Sequence, residues 1–220
     1  MSSIYTEKWV LFLDILGFEA IINNKEDGYR ESEEFAEKIL PIFNKILKLV
    51  SSSISDTFNI SQFSDTFVIS SVDPVPLSIA ARSILLILLQ EGVLSRGAIT
   101  YGKVFHNGSQ FIGPAITCAY KLEKSEAIYP RVIIDPLCEG KMFDDVRKDL
   151  LDDNIFKEYF DGWIPKDFDG YRYVNLFKCF MPDYDMQEMI QTLYEQYKNT
   201  KHRGKYTWLK QKADEFLTTK

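Results

Sequence analysis

The feature that most constrains the fold is a short apolar run near the start of the chain, Trp9 to Leu13. The run is apolar throughout, without alternation, which is typical of a β-strand buried on both of its faces. It ends at Asp14, and Ile15-Leu16-Gly17-Phe18 follows. A strand of this kind must lie inside a sheet that is covered by other elements, so we expect a layered domain around it.

The rest of the chain alternates between strand-like and helix-like patterns. The patterns predict strands at 54–60, 65–72, 94–100, 131–134 and 171–177, and helices at about 30–50, 77–91, 113–127 and 135–155. Between the first two of these strands, Ser61-Gln62-Phe63-Ser64 is expected to form a hairpin, with Asp65 just past its tip. This order predicts an α+β fold in which helices pack on a sheet.

The C-terminal part of the chain has a helical pattern of its own. Residues 184–216 carry Met, Ile, Leu and Tyr at helical spacing, and Gly204 is expected to divide them into two helices. We therefore expect residues 1–182 to form the main domain. Residues 183–220 would be a helical extension packed on that domain or on a dimer.

Composition excludes several classes of function. The 220 residues carry a net charge of −6, which argues against a broad nucleic-acid-binding face. Three cysteines without CxxC spacing and only two histidines argue against a disulfide framework, a zinc site or a His-based triad. The longest apolar runs are too short, or carry a charge, for a membrane span. We expect a cytoplasmic protein.

Two aspartates stand out by their positions. Asp14 ends a buried strand, and Asp65 begins another strand after a hairpin. If the two strands are neighbours, both carboxylates project from the same edge, where they need a divalent cation between them, such as Mg²⁺ or Mn²⁺ with nucleotide phosphates. The backbone N–H groups that follow Asp14 could hold a triphosphate. The alternative is that Asp14 caps a helix and Asp65 is a turn residue.

Four segments in order resemble the signatures of class III nucleotidyl cyclases. The segments are Phe12-Leu13-Asp14-Ile15-Leu16-Gly17-Phe18, Phe63-Ser64-Asp65-Thr66, Arg96-Gly97-Ala98-Ile99-Thr100-Tyr101-Gly102 and Gly113-Pro114-Ala115-Ile116-Thr117-Cys118-Ala119-Tyr120-Lys121-Leu122-Glu123. Asp65 follows Asp14 by 51 residues, close to the family's spacing. The resemblance covers residues 8 to about 177 and implies a ferredoxin-like βαββαβ core in which helices pack on an antiparallel sheet.

The resemblance also implies roles for individual residues. Asp14, Asp65 and the backbone carbonyl of Ile15 would bind two Mg²⁺ or Mn²⁺ ions. The turn at Leu16, Gly17 and Phe18 would bind the nucleotide, and Arg96 its β and γ phosphates. Lys166 is a weak match to the family's late phosphate-binding lysine. The plainer alternatives are a surface ion pair for Arg96 and a solvated loop position for Lys166.

Four positions depart from the common family pattern. Thr117 and Lys121 align with the usual asparagine and arginine that stabilise the transition state, and Lys121 is equally consistent with a solvent-facing helix charge. Ser61 and Gln110 align with the purine-selecting positions. Neither the adenine-selecting nor the guanine-selecting pair is present, so the adenine and guanine assignments lose their main support.

Among cyclases, the chain is most similar to the short pyrimidine cyclases of bacterial antiphage defence, the Pycsar type. That resemblance implies a UTP or CTP substrate, a cyclic UMP or cyclic CMP product that activates a separate effector protein, and a homodimer with active sites at its interface. Three other interpretations stay open: an adenylate or guanylate cyclase, a catalytically silent cyclase-like domain that binds a nucleotide or a partner, and an unrelated α+β interaction protein. The last requires the carboxylates of Asp14 and Asp65 to lie far apart.

Overall fold

A computed structural model describes residues 3–26, 28–52, 58–178 and 184–217. The strands in these ranges are β1 (Thr6–Ile15), β2 (Asn59–Phe63), β3 (Thr66–Ser71), β4 (Ser95–Asn107), β5 (Gln110–Ile112) and β6 (Val132–Ile134). The α-helices are α1 (Phe18–Ile22), α2 (Arg30–Ser52), α3 (Pro74–Gln90), α4 (Pro114–Glu126), α5 (Glu139–Asp149), α6 (Asp153–Glu158), α7 (Tyr184–Tyr197) and α8 (Arg203–Leu217). A 3₁₀ turn at Pro136–Cys138 precedes α5, and a π-helical turn at Tyr159–Trp163 follows α6.

The strands form one mixed sheet. Their order is β2-β3-β1-β4-β5, and β6 also pairs with β4, on the side away from β1. The pairings are antiparallel except for the parallel pair of β4 and β6. The first four strands and the helices between them have the ferredoxin-like βαββαβ arrangement. The predicted α+β fold, with helices packed on a sheet, is confirmed.

The central strand β1 is buried on both faces, as its apolar run predicts. Trp9, Leu11 and Leu13 belong to the large core that includes residues of α2 and α3. Val10, on the opposite face, packs with Ala119 of α4 in a second, smaller core. Each large apolar side chain buried here stabilises the fold by about 1.5–3 kcal/mol. This double burial fixes the direction of β1, and with it the position of the aspartate at its end.

Several boundaries differ from the sequence prediction. The β2–β3 turn lies at Ser64 and Asp65, because the preceding residues continue the pairing of β2 with β3. Strand β4 passes through Gly102 to Asn107. Residues 171–177 form only isolated bridges, at Arg172 and Tyr173, instead of the predicted last strand. Part of the strand predicted at 54–60 lies outside the described residues.

The C-terminal helices are joined near residues 198–202, and Gly204 lies inside α8 instead of between the two helices. Helix α8 contacts the main domain through Trp208, which is 3% exposed. The Trp208 indole stacks on the Tyr129 ring, with 5.8 Å between ring centroids. The proposed boundary at 182/183 lies outside the described residues. None of the helices in the described ranges combines the length and apolar character that crossing a bilayer would require.

Candidate active site

The aspartate at the end of β1 has functional neighbours on both adjacent strands. Asp14 is in register with Thr66 of β3 on one side and with Arg96 of β4 on the other. Asp65 occupies the β2–β3 turn directly before Thr66. Because residues paired across antiparallel strands lie on the same face, Thr66 and Arg96 flank Asp14 at the end of β1, and Asp65 follows in the adjoining turn.

The two carboxyl groups interact electrostatically, because the negative charge of Asp65 acts on Asp14. Burial, followed by the negative charges of Asp65 and Glu123, raises the pKa of Asp14 to about 7. The Thr66 hydroxyl donates a hydrogen bond to Oδ1 of Asp14 at 3.2 Å and opposes this rise. The site therefore holds more negative charge than its own residues neutralise.

This arrangement fits a divalent cation. Carboxylate and carbonyl oxygens are the ligands that Mg²⁺ and Mn²⁺ prefer, and the excess negative charge around Asp14 is what a cation would offset. The backbone carbonyl of Ile15, the last residue of β1, directly follows Asp14 in the chain. Over the described ranges, no cluster of three or more His, Cys, Asp or Glu side chains has the geometry of a metal site. Asp14 and Asp65 are thus a two-carboxylate set.

Arg96 is engaged within its own chain. Its Nε lies 2.7 Å from Oε1 of Glu123 on α4, and its Nη1 donates to the carbonyl of Ala127 at 3.2 Å. The pair with Glu123 is electrostatic, because neither of these two buried atoms makes an aligned hydrogen bond. Burial raises the pKa of Glu123 even though Arg96 opposes the shift. Arg96 thus lies beside Asp14, but its guanidinium is paired with the carboxylate of Glu123 in the same chain.

The close approach of β1 and β4 sets the spacing of Asp14 and Arg96. Gly97 lies against β1, where an added Cβ would be 2.5 Å from the carbonyl oxygen of Phe12 and 3.1 Å from Cα of Leu13. Only a residue without a side chain fits there. The neighbouring Arg96 is thereby held against β1 at the level of Asp14.

A turn leads from Asp14 into α1. The amide of Leu16 donates to the carbonyl of Leu94 at 2.8 Å. Gly17 has a φ of 84°, which favours glycine, and Phe18 begins the short helix α1. Leu16 and Gly17 line a cavity of about 340 Å³, whose other walls come from α1, α2, residues 91–94 and the C-terminal helices, and neither Asp14 nor Asp65 lines it.

The remaining predicted site residues lie elsewhere in the chain. Thr117 and Lys121 are exposed on α4. Gln110 is exposed at the start of β5, paired with Asn107. Lys166 forms an ion pair with Glu139 at 3.4 Å. These four residues are not brought to Asp14 within one chain, and their roles stay predictions.

The Ser61 side chain belongs to an internal cluster of hydrogen-bonded polar groups. Its hydroxyl lies 2.8 Å from Nε2 of His106 and donates to the carbonyl of Gly108. The other ring nitrogen of His106 lies 3.0 Å from the Ser70 hydroxyl. Ser61 is 6% exposed, so its predicted contact with a nucleobase would require these bonds to be exchanged.

Sequence reasoning missed two residues beside the site. Glu123 ends the last cyclase-like segment, but only the fold brings it to Arg96. Lys205 of α8 lines the same cavity as Leu16 and Gly17, and the positive charge of Arg96 acts on it. The spacing of Glu123 on α4 carried a weak signal. Nothing in the local sequence around Lys205 indicated its position.

Comparisons with known proteins give only structural matches. No protein-family model matches the chain, and no curated protein matches it. The fold is similar to an adenylate/guanylate cyclase/hydrolase from Silicibacter pomeroyi, with 14% identity, a TM-score of 0.43, and coverage of 66% of this chain and 81% of that one. It is also similar to a class III adenylyl cyclase-like ATP-binding protein from Pseudomonas aeruginosa, with 14% identity, a TM-score of 0.45, and coverage of 68% of this chain and 37% of that one.

A third similar structure is the catalytic core of a rhodopsin-guanylyl cyclase with converted specificity, in complex with ATPαS. It has 15% identity and a TM-score of 0.40, and the match covers 66% of this chain and 81% of that one. At these identities and scores the likeness carries no argument about activity, which has to come from the side chains themselves.

Proposed function

We propose that this protein is a nucleotide cyclase that converts a nucleoside triphosphate into a 3′,5′-cyclic monophosphate and pyrophosphate. The observation that carries the proposal is the interaction of Asp65 with Asp14 at the end of β1, which together with burial raises the pKa of Asp14 to about 7. Perturbed carboxylate pairs of this kind are typical of functional sites, because a folded chain has little structural reason to hold two like charges together.

Each residue of the proposed site would have its own role in binding the metal ions or the triphosphate. Asp14, Asp65 and the carbonyl of Ile15 would hold Mg²⁺ or Mn²⁺, which supplies neutralisation of phosphate charge and activation of the ribose 3′-hydroxyl. Arg96 would leave Glu123 and contact the β and γ phosphates with its guanidinium fork. The turn at Leu16, Gly17 and Phe18 would position the triphosphate beside the carboxylates.

We propose UTP or CTP as the substrate. The support is the absence of the purine-selecting residues at positions 61 and 110, together with the sequence resemblance to pyrimidine cyclases. On that resemblance, the product would be a second messenger in bacterial antiphage defence that activates a separate effector.

The proposed active form is a homodimer. Thr117 and Lys121 are exposed on α4, and neither touches the carboxylates of its own chain. A second copy related by a two-fold axis would present these residues to the first copy's aspartates twice over. Mixing an Asp65→Asn chain with a Lys121→Ala chain should then restore activity that neither variant has alone. A monomer with a concentration-independent specific rate would contradict the shared site.

The decisive experiment is incubation of the purified protein with ATP, GTP, CTP or UTP in the presence of Mn²⁺, followed by mass spectrometry of the products. Cyclic UMP or cyclic CMP is expected, and the Asp65→Asn chain serves as the control. Robust cyclic AMP or cyclic GMP without a pyrimidine product would overturn the substrate assignment. No cyclic product from any of the four would overturn the cyclase assignment.

A second candidate is a catalytically silent domain that binds a nucleotide. The ion pair between Arg96 and Glu123 favours it, because Arg96 is already occupied in the ligand-free chain. The same incubations separate the two functions, since a silent domain would bind a nucleotide and return it unchanged.

A further inference from the structure

The cavity of about 340 Å³ at the Leu16-Gly17 turn is separate from the candidate active site, because neither Asp14 nor Asp65 lines it. Its walls come from segments that are distant in sequence: the turn itself, α1, α2, residues 91–94 and the C-terminal helices. A cavity of this size lies at the small end of the range of sites that bind small molecules. It is therefore a candidate site for a second ligand that is smaller than a nucleotide.

Most of the cavity wall is apolar or aromatic. Ile21 of α1 and Phe35 of α2 line it on the N-terminal side, and Val93 lines it after α3. Tyr197 and Tyr206 line it from the C-terminal helices, and their rings stack with 4.3 Å between centroids and 7° between planes. Because aromatic rings bury a large area and stack favourably on one another, these walls favour a ligand with an aromatic body.

The wall also contains a lysine, Lys205 of α8, whose ammonium has no partner among the residues that the structure describes. No carboxylate in these ranges pairs with it, and no group accepts a hydrogen bond from it. Lys205 is half-buried, and burial lowers the pKa of its ammonium. Lys38, by contrast, donates to the carbonyl of Glu91 at 2.6 Å and lies 3.8 Å from the carboxylate of Glu91. An anionic group in the cavity would therefore find its partner at Lys205.

The charges of the wall fit a ligand with one negative charge. A neutral ligand would leave the half-buried ammonium of Lys205 uncompensated. A polyphosphate would fit less well, since the carboxylate of Glu91 also lines the cavity and would repel additional negative charge. Aromatic walls and one unpaired lysine together fit a small aromatic carboxylate or a similar monoanion.

The cavity also reaches the backbone on two sides of the candidate active site. The amide of Leu16 donates to the carbonyl of Leu94 at 2.8 Å, and both residues line the cavity. Leu16 lies two residues after Asp14, and Leu94 lies two residues before Arg96. A ligand that packs against both wall segments binds best when they are joined, so its binding would favour the state in which this hydrogen bond is formed.

We infer that this cavity is a binding site for a small aromatic monoanion, with the anionic group at Lys205, and that an occupied site stabilises the link between Leu16 and Leu94. The inference goes beyond the proposed function, since this ligand is neither the substrate nor the product of the proposed reaction. Such a site would allow the protein to respond to a second molecule beside its candidate active site.

The test uses two fluorescent dyes with the same ring system on the full chain: anilinonaphthalene sulfonate, which is a monoanion, and phenylnaphthylamine, which is neutral. Lys205→Gln should weaken binding of the sulfonate dye by about tenfold without weakening binding of the neutral dye. Lys205→Arg should keep most of the affinity. Lys210→Gln is the matched control on the same helix, since Lys210 pairs with Asp214 at 2.7 Å, and it should bind both dyes as the wild type does.

Ala20→Trp tests the location of the site. Ala20 is an exposed residue that lines the cavity, so a larger side chain there would fill the space without disturbing the core. This variant should lose binding of both dyes. If the sulfonate dye binds Lys205→Gln or Ala20→Trp as tightly as the wild type, its binding is adventitious and the inference is wrong.

Hydrogen exchange followed by NMR tests the effect on the turn. Saturation with the sulfonate dye should slow exchange of the Leu16 amide by about fivefold or more in the wild type, and should leave it unchanged in Ala20→Trp. Unchanged exchange in the dye-bound wild type would overturn the stabilisation of this link. Neither measurement uses a nucleotide or a metal ion, so a failure of the cyclase assignment would leave the inference standing.

Discussion

Two aspartate clusters in this protein use the same side chain in opposite electrostatic settings. Asp167 is buried beside Arg131, whose side chain has no exposed surface and which also pairs with Asp169. Trp208 donates its indole N–H to Asp167 at 2.7 Å, and Lys212 lies 3.0 Å away. Although burial raises the pKa of Asp167, its hydrogen bonds and the neighbouring cations outweigh this and hold the pKa below its usual value.

Asp14 has no such set of partners. The two charges that most shift its pKa, those of Asp65 and Glu123, are both negative, and one hydroxyl donates to it. The Arg131 cluster is therefore complete without a ligand and fastens α8 to the main domain. Around Asp14, an added proton or metal cation would offset the negative charge. This difference in internal charge balance is the basis on which we propose Asp14, and not Asp167, as a functional carboxylate.

The largest effect is expected from Asp14→Asn. In the proposed cyclase this change would remove an oxygen that binds the metal ion, so turnover should fall by about three orders of magnitude, or roughly 4 kcal/mol in the activation barrier. The metal-free variant should unfold at the same temperature as the wild type or higher, because a like-charge contact is lost. Turnover assays and calorimetry, with and without Mn²⁺, measure both effects. Near-normal turnover would contradict the two-carboxylate assignment.

Unlike Asp14→Asn, Arg131→Met should lower the stability of the fold. Removing the guanidinium leaves Asp167 and Asp169 without their main partner, at a cost of about 3–5 kcal/mol in the free energy of unfolding. Urea denaturation measures the loss. Arg30→Met is the control, since Arg30 pairs with Glu34 on the surface and should change stability by about 0–1 kcal/mol. If Arg131→Met and Arg30→Met lowered the free energy of unfolding equally, the buried Arg131 cluster would be no more important for stability than a surface ion pair.

The third buried titratable group is His106, whose hydrogen-bond partners are neutral hydroxyls and not charged groups. Burial, together with the charge of Lys8, lowers the pKa of His106 to about 4, and its ring contacts the hydroxyls of Ser61 and Ser70. The unfolded chain therefore binds a proton between about pH 6.5 and 4 that the folded chain does not. The contribution of His106 to stability should therefore fall as the pH is lowered through this window, by on the order of 2–3 kcal/mol, while the raised pKa of Asp14 acts in the opposite direction.

Chemical denaturation at several pH values measures this dependence, and His106→Gln is the comparison chain. The variant should lose less stability than the wild type between pH 6.5 and 4, because it lacks the titrating ring. Parallel profiles for the two chains would show that His106 does not carry the dependence.

The smallest of these effects is expected from Trp208→Phe. The variant keeps an aromatic ring against Tyr129 but loses the indole N–H that donates to Asp167. A hydrogen bond to a charged group contributes about 1.5–3 kcal/mol, and the remaining donors to Asp167 should reduce the loss to about 1–2 kcal/mol. Thermal unfolding measures it. A loss as large as that of Arg131→Met would mean that Trp208 does more than donate this bond.

The parts of the fold that the sequence predicted are those with a strong local signal. The apolar run at Trp9–Leu13 indicated the central strand, and helical periodicity indicated α2, α3 and α4. Residues 171–177 alternate like a strand, but Arg172 and Tyr173 form only isolated bridges, because their side chains are used for long-range contacts instead. Alternation records which side chains are buried, and it does not show whether a neighbouring strand is present to pair with.

The same distinction holds at the candidate site. Asp14, Asp65 and Arg96 each belong to a recognisable segment, so their meeting could be predicted from order and spacing. Glu123 and Lys205 reach the site only through the packing of α4 and α8 on the rest of the chain. Contacts between residues so far apart in sequence have no local signature in a single chain.

The tight contact at Gly97 has a consequence for how this protein can vary. Any side chain at position 97 would meet the backbone of β1, whose positions cannot move without shifting the aspartate one residue beyond Leu13. The tolerance of this site to mutation is thus governed by the spacing of two strands. In a library covering every position and selected for the proposed activity, substitutions at Gly97 should be depleted as strongly as those at Asp14, although glycine would contribute no chemical group to the proposed reaction.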